Sequence, residues 1–150
     1  MVAQPLVVSV PEEQYAAALR QLPGVEVLVW DLAQDHPRGA EVQLLVPPYQ
    51  SHVQLAERLR ATARLEVVQL LTAGYDNARA AVPDGVLLCN AGGVHDASTA
   101  ELAVGLALAS IRRLPEFVLA QTEGRWMSPP TGPALADSRV LVVGYGRIGR

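Results

Sequence analysis

Residues 139–150 read RVLVVGYGRIGR, in which four apolar residues, Val140 to Val143, run into Gly144, Gly146 and Gly149 at the spacing G-x-G-x-x-G. An uninterrupted apolar run of this kind is how a strand buried on both faces enters a tight turn, so a strand is predicted over 140–143. The glycine spacing is the one with which a strand, turn and helix cradle a dinucleotide. The first glycine permits the turn, the second lets the backbone approach a pyrophosphate, and the third lets helix and strand pack closely. The phosphates then lie on amides at the start of the following helix. The string alone is weak, because protein kinases carry a similar one in a hairpin, and a glycine-rich segment without a ligand is the bland alternative. The sequence stops at Arg150. The expectation is that the cradle's helix, the next strand and the acidic residue about twenty positions on, which holds the ribose hydroxyls, lie beyond these residues.

Outward from that turn, short β-rich apolar runs recur at Leu6 to Val10, Val25 to Trp30, Val42 to Val46, Glu66 to Leu71 and Val86 to Cys89. Helical patterns separate them. From Pro11 to Leu22, Tyr15, Ala16, Leu19 and Leu22 share one face, Ser9 and Glu12 have capping-box spacing, and Gly24 follows the end. Ser51 is expected to open a second helix with Ala56, Leu59 and Ala63 as its apolar stripe and Arg58, Arg60 and Arg64 exposed. Strand and helix in alternation predict a parallel sheet with helices on both faces, a doubly wound α/β domain over residues 1–95. Five such strands are often ordered 2-1-3-4-5, as in flavodoxin-like folds, although the sequence does not dictate the order. Ligands of such sheets sit beyond the carboxyl ends of the strands. The loops to examine are therefore 47–49, 72–77 and 90–93.

From residue 96 onward the pattern changes, and a second domain begins over 96–150. Ser98 and Glu101 again have capping-box spacing, and Leu102, Val104, Leu106, Leu108 and Ile111 place apolar groups all round a helix closed by Arg112 and Arg113. Such a helix wants burial on every side. Pro115 starts a further helix ending near Gly124, and Trp126 is expected to pack over the junction between the domains.

Composition narrows the partners. The net charge is −3 and all 12 basic residues are arginines spread along the chain, which gives no basic stripe for nucleic acid. The longest apolar stretch, Leu102 to Ile111, is about half of what a membrane span needs. One cysteine, Cys89, excludes an internal disulfide and fits a reducing compartment, and the start turns acidic by residue 12, so no signal peptide is expected. A cytoplasmic location follows as the default. With three scattered histidines, no metal-ligand spacing emerges. His95 and Asp96 have the composition of a base and its orienter, but sequence neighbours seldom face each other. His36 and His52 read as surface residues, and Ser98 and Ser110 have no base partner for hydrolase chemistry.

Three passages, LLTAGYDN at 70–77, NAGGVHDASTAELAVGLALASIRRLP at 90–115 and VLVVGYGRIGR at 140–150, resemble the D-isomer-specific 2-hydroxyacid dehydrogenases, the family of phosphoglycerate, glycerate, formate and D-lactate dehydrogenases. One departure stands out: the family often has proline two places after the asparagine, where this chain has Gly92. The resemblance implies an NAD- or NADP-dependent oxidoreductase that interconverts a small 2-hydroxy acid and its 2-keto acid by hydride transfer. It implies a flavodoxin-like substrate domain (1–95) followed by the beginning of a Rossmann NAD-binding domain (96–150). The backbone of Ala73 and Gly74 would hold the substrate carboxylate. Gly144, Gly146 and Gly149 with the backbone of Arg147 and Ile148 would hold the pyrophosphate, and Thr99 would lie near the nicotinamide. The family's catalytic arginine, histidine and glutamate lie downstream of the fingerprint, so the 150 residues alone are expected to be inactive. The other reading is a non-enzymatic interaction or regulatory module that keeps the flavodoxin-like half and pairs as a homodimer through helix 99–113.

Overall fold

The computed structural model describes residues 4–49, 55–128 and 132–150. The chain divides into two compact units, the first ending at Gly92 and the second beginning at Gly93.

In the first unit five parallel strands, β1 (Leu6–Val10), β2 (Val25–Val29), β3 (Leu44–Leu45), β4 (Val67–Gln69) and β5 (Leu87–Cys89), form one sheet in the order β2-β1-β3-β4-β5. Each falls inside a predicted apolar run. The ladder is shorter than the runs because only the residues in register with a neighbour are bonded, as where Leu44 and Leu45 bridge Val8 and Ser9 on one side and Val67 and Val68 on the other.

Alternation along the strands builds two cores. Val7, Leu28, Leu45 and Val68 point to one face, where Leu55 and Leu59 of helix α2 (Leu55–Ala61) and Ala78 of helix α3 (Asp76–Arg79) cover them. Val8, Val10 and Val46 point to the other, where Ala16 of helix α1 (Glu13–Leu19) packs with Tyr15 and Leu19. Helices therefore lie on both faces, the flavodoxin-like α/β arrangement predicted.

Several expectations for these helices are corrected. Ser9 does not cap α1: it lies in β1 on the core side, fully buried, with no partner for its hydroxyl among the described residues, and the helix starts at Glu13 behind an extended Glu12. Leu22 is half exposed, because α1 ends three residues before it. Ser51 and His52 lie outside the described residues. The buried stripe of α2 is Leu55, Leu59 and Thr62, whereas Ala63 is exposed. Arg58, expected in solvent, has a side chain only 13% exposed: it pairs with Asp35 and donates to the carbonyls of Leu32 and Ala33. His36 is half-buried; its Nδ1 accepts the Arg38 N–H and its ring tilts against buried Trp30.

The second unit holds helices α4 (Asp96–Ile111) and α5 (Leu114–Thr122), joined through Arg113 at φ +56°. Helix α5 has Pro115 in its first turn and ends in a Schellman motif: Gly124, at φ +64°, donates to Gln121 and Arg125 donates to Ala120. Ser98 does not cap α4, which starts two residues earlier. Its hydroxyl donates to the His95 carbonyl from inside the first turn. No residue of α4 is buried. Trp126 is 91% exposed rather than packed.

The strand expected over Val140–Val143 is not formed. A strand is held by ladder bonds from a neighbour, and among the described residues none runs beside these four, which stay exposed. They lead instead directly into the glycine turn.

Candidate functional site

Three loops at the carboxyl ends of β3, β4 and β5 meet at one end of the first unit's sheet. Pro47, Pro48 and Tyr49 from the first, Leu70 to Thr72, Gly74, Asp76 and Asn77 from the second, and Leu55 of α2 line a cavity of about 440 Å³.

The hydrogen bonds of the second loop set the direction of its backbone N–H groups. The Thr72 carbonyl accepts the Ala91 N–H at 2.9 Å, which carries the β4–β5 ladder on into the loops. The Ala73 carbonyl accepts Nδ2 of Asn90 at 2.7 Å, and the Gly74 carbonyl accepts the Thr72 hydroxyl at 2.8 Å. A trans peptide sets its N–H opposite its C=O, so tying back three successive carbonyls turns the N–H groups of Ala73, Gly74 and Tyr75 the other way. None of the three has an acceptor among the described residues. Successive unpaired backbone donors form a concave anion site, and a carboxylate there accepts charge-assisted bonds. A Cβ added to Gly74 would meet nothing within 4 Å, so a ligand has room to approach its backbone. Ala73 and Gly74, to which the resemblance assigns the substrate carboxylate, carry two of these three unpaired amides. Sequence reasoning did not name the two side chains that hold this loop, Asn90 on the Ala73 carbonyl and Thr72 on the Gly74 carbonyl; an asparagine directly after an apolar run was the available signal.

The second site lies wholly within the second unit. Gly144 turns the chain at φ +93°. A Cβ on Gly149 would collide with the Gly144 carbonyl oxygen and stand 3.1 Å from a Val142 methyl, so only glycine lets the turn close on itself. Gly146 faces open space. The three glycines thus differ in their surroundings: Gly144 bends the chain, Gly146 leaves open space and Gly149 packs against the Gly144 carbonyl.

The Arg147 guanidinium lies against Gly93, where an added Cβ would be 2.9 Å from it and 4.0 Å from an oxygen of the Asp96 carboxylate at the start of α4. Sequence reasoning took Arg147 for its backbone alone and missed this approach, although the pair Gly92-Gly93 marked a place without side chains. Ile148 lies in the turn and is partly exposed, and Thr99 is exposed in the first turn of α4, its N–H donating to the His95 carbonyl. The structure brings Arg147 to Gly93, three residues before that helix, but places no described contact between Thr99 and the glycine turn. His95 and Asp96 share no hydrogen bond among the described residues. Nor does any group of three or more His, Cys, Asp or Glu side chains among them converge to hold a metal, and no helix among them is long and apolar enough to cross a membrane.

No family model matches the chain. It is 34% identical over 148 residues to glyoxylate reductase/hydroxypyruvate reductase of Mus musculus, a match covering 89% of this chain and 44% of that protein. A D-isomer-specific 2-hydroxyacid dehydrogenase family protein of Aeromonas salmonicida superposes with a TM-score of 0.80 at 23% identity, covering 97% of this chain and 48% of that one. A D-isomer-specific 2-hydroxyacid dehydrogenase of Xanthobacter autotrophicus, solved in complex with NADPH and MES, superposes with a TM-score of 0.72 at 25% identity over 98% of this chain and 48% of its own. The chain thus spans less than half the length of these relatives. The curated relatives and solved structures it matches are D-isomer-specific 2-hydroxyacid dehydrogenases, and the chain is similar to them in sequence and in fold over the part that it covers.

Proposed function

We propose that the chain supplies the substrate-carboxylate loop and the opening turn of the cofactor site of an NAD- or NADP-dependent 2-hydroxyacid dehydrogenase. Residues 1–95 form the beginning of the substrate domain and 96–150 the start of the Rossmann domain. The observation that carries this reading is the tied-back loop, in which the carbonyls of Thr72, Ala73 and Gly74 are all occupied and the amides of Ala73 and Gly74 are turned outward.

A small 2-hydroxy or 2-keto acid binds by its carboxylate to those two amides, which fixes the neighbouring carbon that reacts. The bound nicotinamide supplies or accepts the hydride at that carbon. Gly144, Gly146 and Gly149 with the backbone of Arg147 and Ile148 receive the pyrophosphate, with Thr99 on the nicotinamide side. The open space at Gly146 and the closure at Gly149 fit that group. In the oxidation direction the hydroxyl proton leaves to a base as the carbon gives up its hydride. By resemblance that base, a histidine, with its glutamate and the arginine that orients the acid, follows the fingerprint, so these 150 residues alone carry no turnover. We place the protein in the cytoplasm, consistent with its single free thiol at Cys89.

Titration of the 15N-labelled chain tests the reading. D-lactate is expected to shift the amides of Ala73 and Gly74, while NAD binds more weakly than about 1 mM. Tight NAD binding by a verified 150-residue species, or lactate shifts spread elsewhere, would overturn it.

The exposed apolar surface of α4 favours a second reading, a homodimer formed through residues 99–113 in a non-enzymatic interaction module. Leu102 and Leu106 are 62% and 61% exposed. Light scattering separates the cases: a monodisperse dimer supports pairing, and a clean monomer removes it.

A further inference from the structure

We infer that Asn90 is the positioning residue of the carboxylate loop and that Gly92 sets its carboxamide in the working orientation; this rests on the substrate reading above. Asn90 follows β5 directly and reaches back 17 residues. Its Nδ2 donates to the Ala73 carbonyl at 2.7 Å while its Oδ1 accepts the Gly92 N–H at 3.3 Å. The two partners are of opposite kind, and a carboxamide has one end for each. Turned by half a rotation, its oxygen would face the Ala73 carbonyl and its NH2 would face the Gly92 N–H. Both contacts would be repulsive.

The bond to Gly92 therefore selects the flip that ties Ala73 back, and planarity of the Ala73–Gly74 peptide converts that tie into the direction of the Gly74 N–H. A proline at 92, common in the resembling family, has no N–H to give. In this chain glycine adds an orienting bond at that point. The Thr72 hydroxyl does the same for the next peptide through the Gly74 carbonyl, so the two amides beyond Ala73 are aimed by two side chains. An anion site aimed before its ligand arrives binds without paying to order the loop.

The test compares the labelled wild-type chain with Asn90→Asp, which keeps the size and the acceptor for Gly92 but loses the donor, and with Asn90→Ala. In the free proteins, the residual dipolar coupling of the Gly74 N–H is expected to move toward an averaged value in both variants. Val68, in the core, keeps its coupling and its hydrogen-exchange protection. D-lactate affinity read at the Gly74 amide falls about tenfold, the loss of one aimed charge-assisted bond. Gly92→Pro, which removes the orienting N–H, is expected to weaken it about threefold. A Gly74 vector as ordered in Asn90→Asp and Asn90→Ala as in the wild type overturns the inference, whatever lactate does. A wild-type chain whose amides ignore lactate while the Gly74 vector still depends on Asn90 overturns the substrate reading and leaves the positioning role standing.

Discussion

The two units are both rich in apolar residues, yet one closes a core and the other does not. Up to Gly92, Val10, Ala16, Val42, Leu45, Leu59 and Val68 are essentially inaccessible. Beyond it Ala120 is the one buried residue among those described. Hydrophobic content is a demand for partners; burial requires a layer on each side. In the first unit alternation along the strands sends successive residues to opposite faces, and a helix waits on each. In the second, α4 is apolar all round, so covering any single face would leave the others in water.

Substitution at equivalent leucines gives the strongest way to break this comparison. Leu45→Ala, in the fully buried sheet centre, is expected to destabilise the chain by about 2–5 kcal/mol, and Leu106→Ala, on exposed α4, to change stability by no more than about 0.5 kcal/mol. Urea unfolding followed by far-UV circular dichroism measures both. Equal losses would mean that α4 is covered in solution.

Within the second unit the glycines sharpen the contrast between a filled space and an open one. Gly149→Ala forces a methyl group onto the Gly144 carbonyl and is expected to cost about 1–3 kcal/mol locally, displacing amide resonances throughout 142–149. Gly146→Ala is expected to leave its neighbours in place and to show its effect only on cofactor approach. Identical spectra for the two variants would refute the division of roles.

The smallest expected effect is electrostatic, and it is shared by both units. Hydrogen bonds from Arg38 hold the Glu26 and Glu41 carboxyls below the ordinary glutamate value of 4.5, and Arg113 does the same for Glu116. A carboxyl whose pKa is lower folded than unfolded stabilises the fold above its unfolded value and loses that contribution as pH falls through the folded one. Arg38→Met should therefore lower the urea midpoint slightly at neutral pH and have less effect on the acid side of 4.5. These groups are exposed, so salt should shrink the difference further.

The sheet was legible because its signal is local. Each apolar run is long enough to be a strand, and the glycines or, as after Val46, the prolines that follow most of them mark an end visibly. Features set by distant partners were not legible. Ser9 and Glu12 have the same spacing whether the serine caps a helix or lies buried in a strand, and only the position of β1 in the sheet decides. Val140–Val143 has the composition of a strand, but a ladder needs a neighbour that no local pattern supplies. Of the candidate site, Ala73, Gly74 and the glycine turn could be marked from residue type and resemblance. The aim of the loop depends on Asn90, which meets Ala73 only after β4 and β5 have paired. Arg58 was misread for the same reason, since its partners come from the loop after β2.

The order β2-β1-β3-β4-β5 also bears on how the chain comes together during synthesis. Once the first two strands have paired, β3 joins on the free side of β1, and β4 and β5 each add to the strand made just before them. Every arriving segment finds its template already present, so the sheet can be assembled progressively as the polypeptide leaves the ribosome, with no strand inserted between two others.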